Sequence, residues 1–246
     1  MTPAAKAPKE TGVTTIVLSL GGSVLIPSLE SNELAGYAAV LAGLAERHRC
    51  FVVVGGGGEA RRFIGVGRDL GIDEATLDEI GILVTRLNAR LLVAALGDAA
   101  YPGVPETYAA AKACGVAGRV VVMGGVAPGQ TTDAVAAVLA EEVGADLLIN
   151  ATSVPGVFTA DPKKDPAAVR HGTMTPGELL ALVAGERMGA GSNTVIDLVA
   201  AKIVERSGIP MVVLDGRRPE TVRDAILTGV FEGTVIAKAA CRPLPL

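Results

Sequence analysis

Apolar residues in this chain fall into short unbroken runs, separated by longer stretches in which they recur every three or four positions. The runs cover residues 14–20, 50–54, 119–123, 146–150, 210–214 and 233–237. They are rich in Val, Ile and Leu and barely alternate with polar residues, as strands covered on both faces do. Between them the spacing predicts helices over 34–47, 59–70, 73–96, 132–143, 175–184, 194–207 and 219–228, with a loop and short helix over 104–114. In the 73–96 segment Leu77, Ile80, Val84, Leu87 and Leu91 follow that spacing, which predicts one long helix burying them as a stripe. Gly144 stops the 132–143 helix. Pro155, Pro162, Pro166 and Pro176 make the stretch around 155–175 turn and extended chain. Alternating strands and helices predict an α/β fold, a mostly parallel central sheet sandwiched by helices. No internal repeat or linker interrupts the pattern, so residues 13–246 read as a single domain behind a loose polar tail, residues 1–12.

Composition limits how such a fold is filled. Half of the 246 residues are apolar, yet aromatics make up 3% and Trp is absent, so the core must be Ala, Val, Leu and Ile. The 31 glycines follow no collagen-like period and suit many tight strand-to-helix turns. A net charge of −4 argues against nucleic acid as the main partner. Cys50, Cys114 and Cys241 have no metal-ligand spacing, and three thiols cannot complete a disulfide framework; they read as incidental thiols of a reducing cytoplasm. No eighteen consecutive residues are apolar and the first twelve lack a signal peptide's core, so neither a membrane span nor an export signal is expected.

Candidate chemistry gathers where strands end. Leu20 runs into Gly21-Gly22-Ser23, Val54 into Gly55 to Gly58, and Met123 into Gly124-Gly125. In an open parallel sheet the ligand crevice lies at the carboxyl ends of the strands, and glycine turns there let backbone N–H groups approach phosphate oxygens. The stretch 123–166 adds a small-residue loop, a Thr131-Thr132-Asp133 helix start and a second loop with Thr152, Phe158 and Asp161, which suggests more than one phosphate-bearing group. No GxxxxGK[ST] string occurs, so this is not a P-loop protein. The string Gly65 to Gly71 imitates a dinucleotide fingerprint but has the wrong final spacing and lies late in a helical pattern. His48 and His171 read as surface residues.

The segments VLSLGGSVL, VVVGGGGEARRFI, LDEIGILVTRLNARLL, GGVAPGQTTDA, NATSVPGVFTADPKKDP and IDLVAAKIVERSGIP, taken in order, resemble the amino-acid-kinase superfamily, and within it the archaeal type of uridylate (UMP) kinase. The resemblance covers roughly residues 14 to 237. It implies transfer of the ATP γ-phosphoryl group to UMP with Mg²⁺ carried on ATP, a step of pyrimidine nucleotide biosynthesis. Because the acceptor oxygen is already anionic, positioning and charge stabilisation suffice and no general base is needed.

Carried over by motif, Gly21, Gly22, Ser23, Gly57 and Arg61 would face ATP phosphates, and Thr152, Phe158 and Asp161 would form the rest of the ATP pocket. Gly56, Asp78 and the loop Gly125, Val126, Ala127, Pro128, Gly129, Gln130 and Thr131 would hold UMP, with Asp78 on the ribose. Asp133 and Asp197 would be catalytic, organising Mg²⁺ or nearby cations; no residue is expected to hold a metal by itself. The acceptor part would span about residues 13–145 and the donor part about 146–246. Family members of this type are commonly hexamers built from dimers, and helices over 34–45 and 78–96 offer apolar interfaces.

The chain departs from the superfamily pattern at four positions. Ser19 and Asn150 stand where many members carry lysine, Gly58 where relatives often have lysine, and Pro155 where Asp is usual. Arg61, Arg62, Lys163, Lys164 and Mg²⁺ are the candidates for neutralising the moving phosphoryl group. The competing readings are a kinase of the same fold for another small phosphate or carboxylate acceptor, and a non-catalytic nucleotide or oxyanion storage protein.

Overall fold

A computed structural model describes residues 13–162, 164–186, 196–238, 241 and 243–246. The expected tail, Lys163 and the first residues of the expected 194–207 helix lie outside them. The strands are β1 (Thr14–Leu20), β2 (His48–Val54), β3 (Val121–Met123), β4 (Leu147–Thr152), β5 (Thr173–Met174), β6 (Met211–Asp215) and β7 (Gly233–Ile236). The helices are α1 (Gly22–Leu25), α2 (Leu34–Ala45), α3 (Gly57–Asp69), α4 (Glu74–Leu96), α5 (Tyr108–Cys114), α6 (Thr132–Val143), α7 (Pro176–Glu186), α8 (Leu198–Ser207) and α9 (Pro219–Thr228).

One sheet runs β3-β2-β1-β4-β6-β7-β5. It is parallel except where β6 meets β7. The chain builds outward from β1 through β2 to β3, then returns to place β4 on the other side of β1. That reversal opens a crevice above the carboxyl ends of β1 and β4, with Ser19 directly opposite Asn150.

Because strand residues alternate between faces, the two sides of the sheet carry separate cores. Leu18, Val52 and Ile149 pack with Leu41 of α2, Leu92 of α4 and Val222 of α9. Val17, Val53 and Leu148 pack with Val135 and Leu139 of α6 and Val204 of α8. Leu139 is fully buried, so Leu139→Ala would cost about 2–5 kcal/mol.

Helix ends follow their caps. Asp73 accepts the Thr76 N–H at 3.0 Å to start α4, and Asp197 accepts the N–H groups of Val199 and Ala200 to start α8. Gly144, at φ 64°, ends α6 in the left-handed conformation as its position predicts.

Four expectations are corrected. The 34–47 helix ends at Ala45 and β2 begins at His48, so His48 is buried rather than on the surface; burial, and then the nearby Arg47 charge, lowers its pKa. His171 is only partly exposed, and its Nε2 is enclosed. In α4 the buried stripe leaves the predicted line after Val84. It continues through Thr85, Asn88, Ala89 and Leu92, while Leu87 and Leu91 are 60% and 41% exposed. The helix is apolar on both sides, so spacing alone did not decide which side the core takes. Finally, the short helix α1 forms where a turn was expected.

By length and composition α4 resembles a membrane span. It lies instead between α2, α3 and the sheet, with its polar Thr85 and Asn88 on the buried side.

Candidate functional site

Two glycine turns cross at the centre of the crevice. The Gly21 N–H donates to the Ala151 carbonyl at 3.0 Å, and the Gly55 N–H to the Leu20 carbonyl at 2.9 Å. A Cβ on Gly22 would lie 2.1 Å from the Gly57 nitrogen and 2.5 Å from the Gly55 oxygen, so only glycine permits this approach. Gly57 has φ +67°, which glycine adopts at no steric cost. Gly56 is equally crowded, its would-be Cβ 2.4 Å from the Ala60 Cβ. The predicted residues Gly21, Gly22, Gly56 and Gly57 are thus brought together. Beneath them the buried Asn88 side chain donates to the Gly55 and Gly56 carbonyls at 3.0 and 3.3 Å.

The loop over residues 124–131 hangs from α4. Thr85 Oγ1 accepts the Gly125 N–H at 2.7 Å and donates to the Ile82 carbonyl. Arg86 Nε donates to the Gly125 carbonyl at 3.2 Å, while its Nη1 pairs with Glu106 at 2.7 Å. Asp78 accepts the Gly129 N–H at 2.7 Å, where φ is +76°. The Tyr108 hydroxyl donates to Gln130 Oε1 at 3.0 Å, and Thr131 caps α6 through the Ala134 N–H. Val126 is half-buried against the core; Ala127 and Pro128 complete the loop.

A polar triad joins β1, β4 and α6. Ser19 Oγ donates to Asp133 Oδ1 at 2.7 Å, and Asn150 hydrogen-bonds the same carboxyl. Burial pushes the Asp133 pKa above the ordinary carboxylate range; the hydrogen bonds from Ser19 and Asn150 oppose this, and the Asp197 charge adds to it. The two positions where lysine was expected therefore carry neutral groups that satisfy Asp133 directly. Asp197 is close enough to be felt there, but its carboxyl is engaged in capping α8.

The other predicted ATP-side residues follow β4. The Thr152 carbonyl accepts the Gly216 N–H at 2.8 Å. Gly156, at φ +122°, presses on Thr234, whose hydroxyl accepts the Val157 N–H and donates to the His171 carbonyl. Thr234 is fully buried, so this loop is pinned to β7 from behind. Phe158 bridges to Arg170 and stays half-buried outside both apolar cores. The Asp161 carbonyl accepts the Lys164 and Asp165 N–H groups. Pro155 lines a separate cavity of 610 Å³ with Asp215, Arg217, Arg218 and Phe231. Ser23 and Arg61 are exposed at the turns; Arg62 is paired with Glu59 at 3.1 Å.

Thr85, Arg86, Asn88 and Thr234 were not identified from the sequence. Polar residues on the inward face of an apolar helix signal a buried partner, but that signal needs the inward face of α4 to be known. The Gly65 to Gly71 imitation lies largely within α3, and Gly67 is small because Leu77 packs there.

The family model described as "Amino acid kinase family" matches residues 14–215. A protein named uridylate kinase from Methanoculleus marisnigri is 63% identical over 230 residues, covering 94% of this chain and 98% of that protein. One of the same name from Methanoregula boonei is 59% identical over 232 residues, covering 94% and 99%. The crystal structure of uridylate kinase from Archaeoglobus fulgidus superposes with a TM-score of 0.81 at 47% identity, covering 90% of this chain and 99% of that one.

Proposed function

The chain belongs to the amino acid kinase family, and from that premise we propose that it is an ATP-dependent UMP kinase, transferring the γ-phosphoryl group of ATP to the phosphate of UMP. The observation that carries the reading is the crossing of the Gly21–Gly22 and Gly55–Gly57 turns beside a loop hung from the same helix. Two phosphate-sized backbone surfaces then face one crevice, as direct transfer between two nucleotides needs. High identity to proteins named uridylate kinase over nearly the whole chain supports UMP as the acceptor.

In this reading Gly21, Gly22, Ser23, Gly57 and Arg61 hold the donor phosphates, and Thr152, Phe158 and Asp161 hold the rest of ATP. Gly56, Asp78 and residues 125–131 hold UMP. The donor part is then residues 146–246 and the acceptor part residues 13–145. Asp133 acts by orienting Ser19 and Asn150 toward the phosphates. Arg61 is exposed beside the donor turn and Arg86 is anchored at the acceptor loop; they are the cations at hand for the moving charge.

Among the described residues no three His, Cys, Asp or Glu side chains cluster as a metal cage. The Asp133 and Asp197 carboxyls are already hydrogen-bonded within the chain, so an ion beside them would arrive on the ATP phosphates and keep several of its waters, as Mg²⁺ does. Bound there, Mg²⁺ would neutralise phosphate charge.

We place the enzyme in the cytoplasm, in keeping with its unpaired thiols, and as a homo-oligomer, a hexamer by family likeness. A panel of UMP, CMP, AMP and GMP with ATP and Mg²⁺ tests the function. UMP should be phosphorylated at least about tenfold faster than the others; no turnover of any monophosphate would overturn it.

A further inference from the structure

We propose that Asn88 is a positioning residue for the phosphates of both nucleotides, acting by fixing which way two peptide planes of the glycine turn face. It rests on the kinase reading above. Gly55 to Gly58 have no side chains to resist rotation of their peptide units. In a trans peptide the carbonyl of one residue and the N–H of the next point in opposite directions.

The Asn88 amide, rooted in the buried face of α4, draws in the Gly55 carbonyl at 3.0 Å and the Gly56 carbonyl at 3.3 Å. The N–H groups of Gly56 and Gly57 must then point away from α4. The Gly22 turn packs across this run, its would-be Cβ 2.1 Å from the Gly57 nitrogen and 2.5 Å from the Gly55 oxygen, and the Ala60 N–H shares the Gly56 carbonyl at 3.3 Å. In the kinase reading the Gly56 N–H is thereby presented to UMP and the Gly57 N–H to ATP, while Asn88 holds both carbonyl oxygens. With either peptide reversed, a carbonyl oxygen would face the phosphates and repel them.

Thr85, one helical turn earlier, holds the Gly125 N–H at 2.7 Å. The glycine turn and the acceptor loop are therefore set against each other by two side chains of one rigid helix. Asn88 governs the turn that both nucleotides meet and Thr85 the acceptor loop alone, so their substitutions should separate.

The test compares Asn88→Ala and Asn88→Asp with the wild-type protein, using calorimetry with a non-hydrolysable ATP analogue, calorimetry with UMP, and steady-state kinetics. Wild-type turnover of UMP tests the kinase reading; the variants, measured relative to it, test the positioning role. Asn88→Ala should weaken both the analogue and UMP and lower kcat, by about tenfold each, since the Gly55 carbonyl loses this donor and the Gly56 carbonyl keeps only the Ala60 N–H. Asn88→Asp keeps the size, so it serves if the alanine variant does not fold. As a carboxylate it repels both carbonyls; once protonated it donates to one. Its activity relative to wild type should therefore climb as pH falls from about 8.5 to about 6, since burial beside two carbonyls raises its pKa. The proposal is overturned if analogue affinity and kcat match wild type in folded variants. It is equally overturned if the binding losses of the alanine variant appear only at temperatures where it is unfolded, or if Asn88→Asp shows no recovery.

Discussion

A carboxylate enclosed as Asp133 is would prefer its proton, and what it gains from Ser19 and Asn150 only partly offsets the loss of water. The consequence for stability follows from the sign of the shift. The folded pKa lies above the unfolded one, so between them the folded chain binds more protons and stability falls as pH rises through that window. Urea midpoints across pH should show this decline, and Asp133→Asn should flatten it; an unchanged slope in the variant would show that Asp133 is not its source. In activity the same variant should lose about tenfold or more in kcat, because a carboxamide no longer accepts from both neighbours. Gly22→Ala should do more, since its Cβ would meet backbone at 2.1 Å and not a side chain that can move aside; loss of ATP-analogue binding by calorimetry checks it. These glycines were legible in the sequence because steric need at a strand end leaves glycine as its mark. Asn88, Thr85 and Thr234 were not: a polar residue inside a buried element shows its purpose only when its partner, 32 to 77 positions away, is brought beside it.

At the scale of elements, α4 carries the most information. Its inward face holds the glycine turn and the 124–131 loop, and its outward face is apolar. Thr85→Val keeps the shape but leaves the Gly125 N–H without its acceptor. About 1–3 kcal/mol of destabilisation is expected, since that donor is enclosed, and KM for UMP should rise more than KM for ATP. Equal changes in both would contradict a role specific to the acceptor loop. The strand runs, the glycine turns, the Gly144 stop and the order of elements could all be read directly. The chain pattern left the direction of β7 undecided and pointed to the wrong inward face of α4 beyond Val84. A four-residue strand fits either direction, and a helix apolar all round leaves its orientation to tertiary packing.

For the whole molecule, the apolar outer faces of α3 and α4 are the feature unexplained by a lone chain. Phe63, Val66 and Leu70 are 55%, 61% and 74% exposed, and Leu83 and Leu87 are 63% and 60% exposed. Such a patch on packed neighbouring helices is where a second copy belongs. The larger apolar residues of α2, by contrast, mostly face its own core. Light scattering should find an oligomer, and Phe63→Glu with Leu87→Glu should reduce its mass; an unchanged assembly would place the interface elsewhere. The central claim is direct transfer between two nucleotides in one crevice. Phosphorus NMR of the purified protein with ATP, Mg²⁺ and UMP follows every phosphate at once. UDP should appear one for one with ADP and only when UMP is present. ADP formed without UMP, or ATP left unchanged beside UMP, would contradict it.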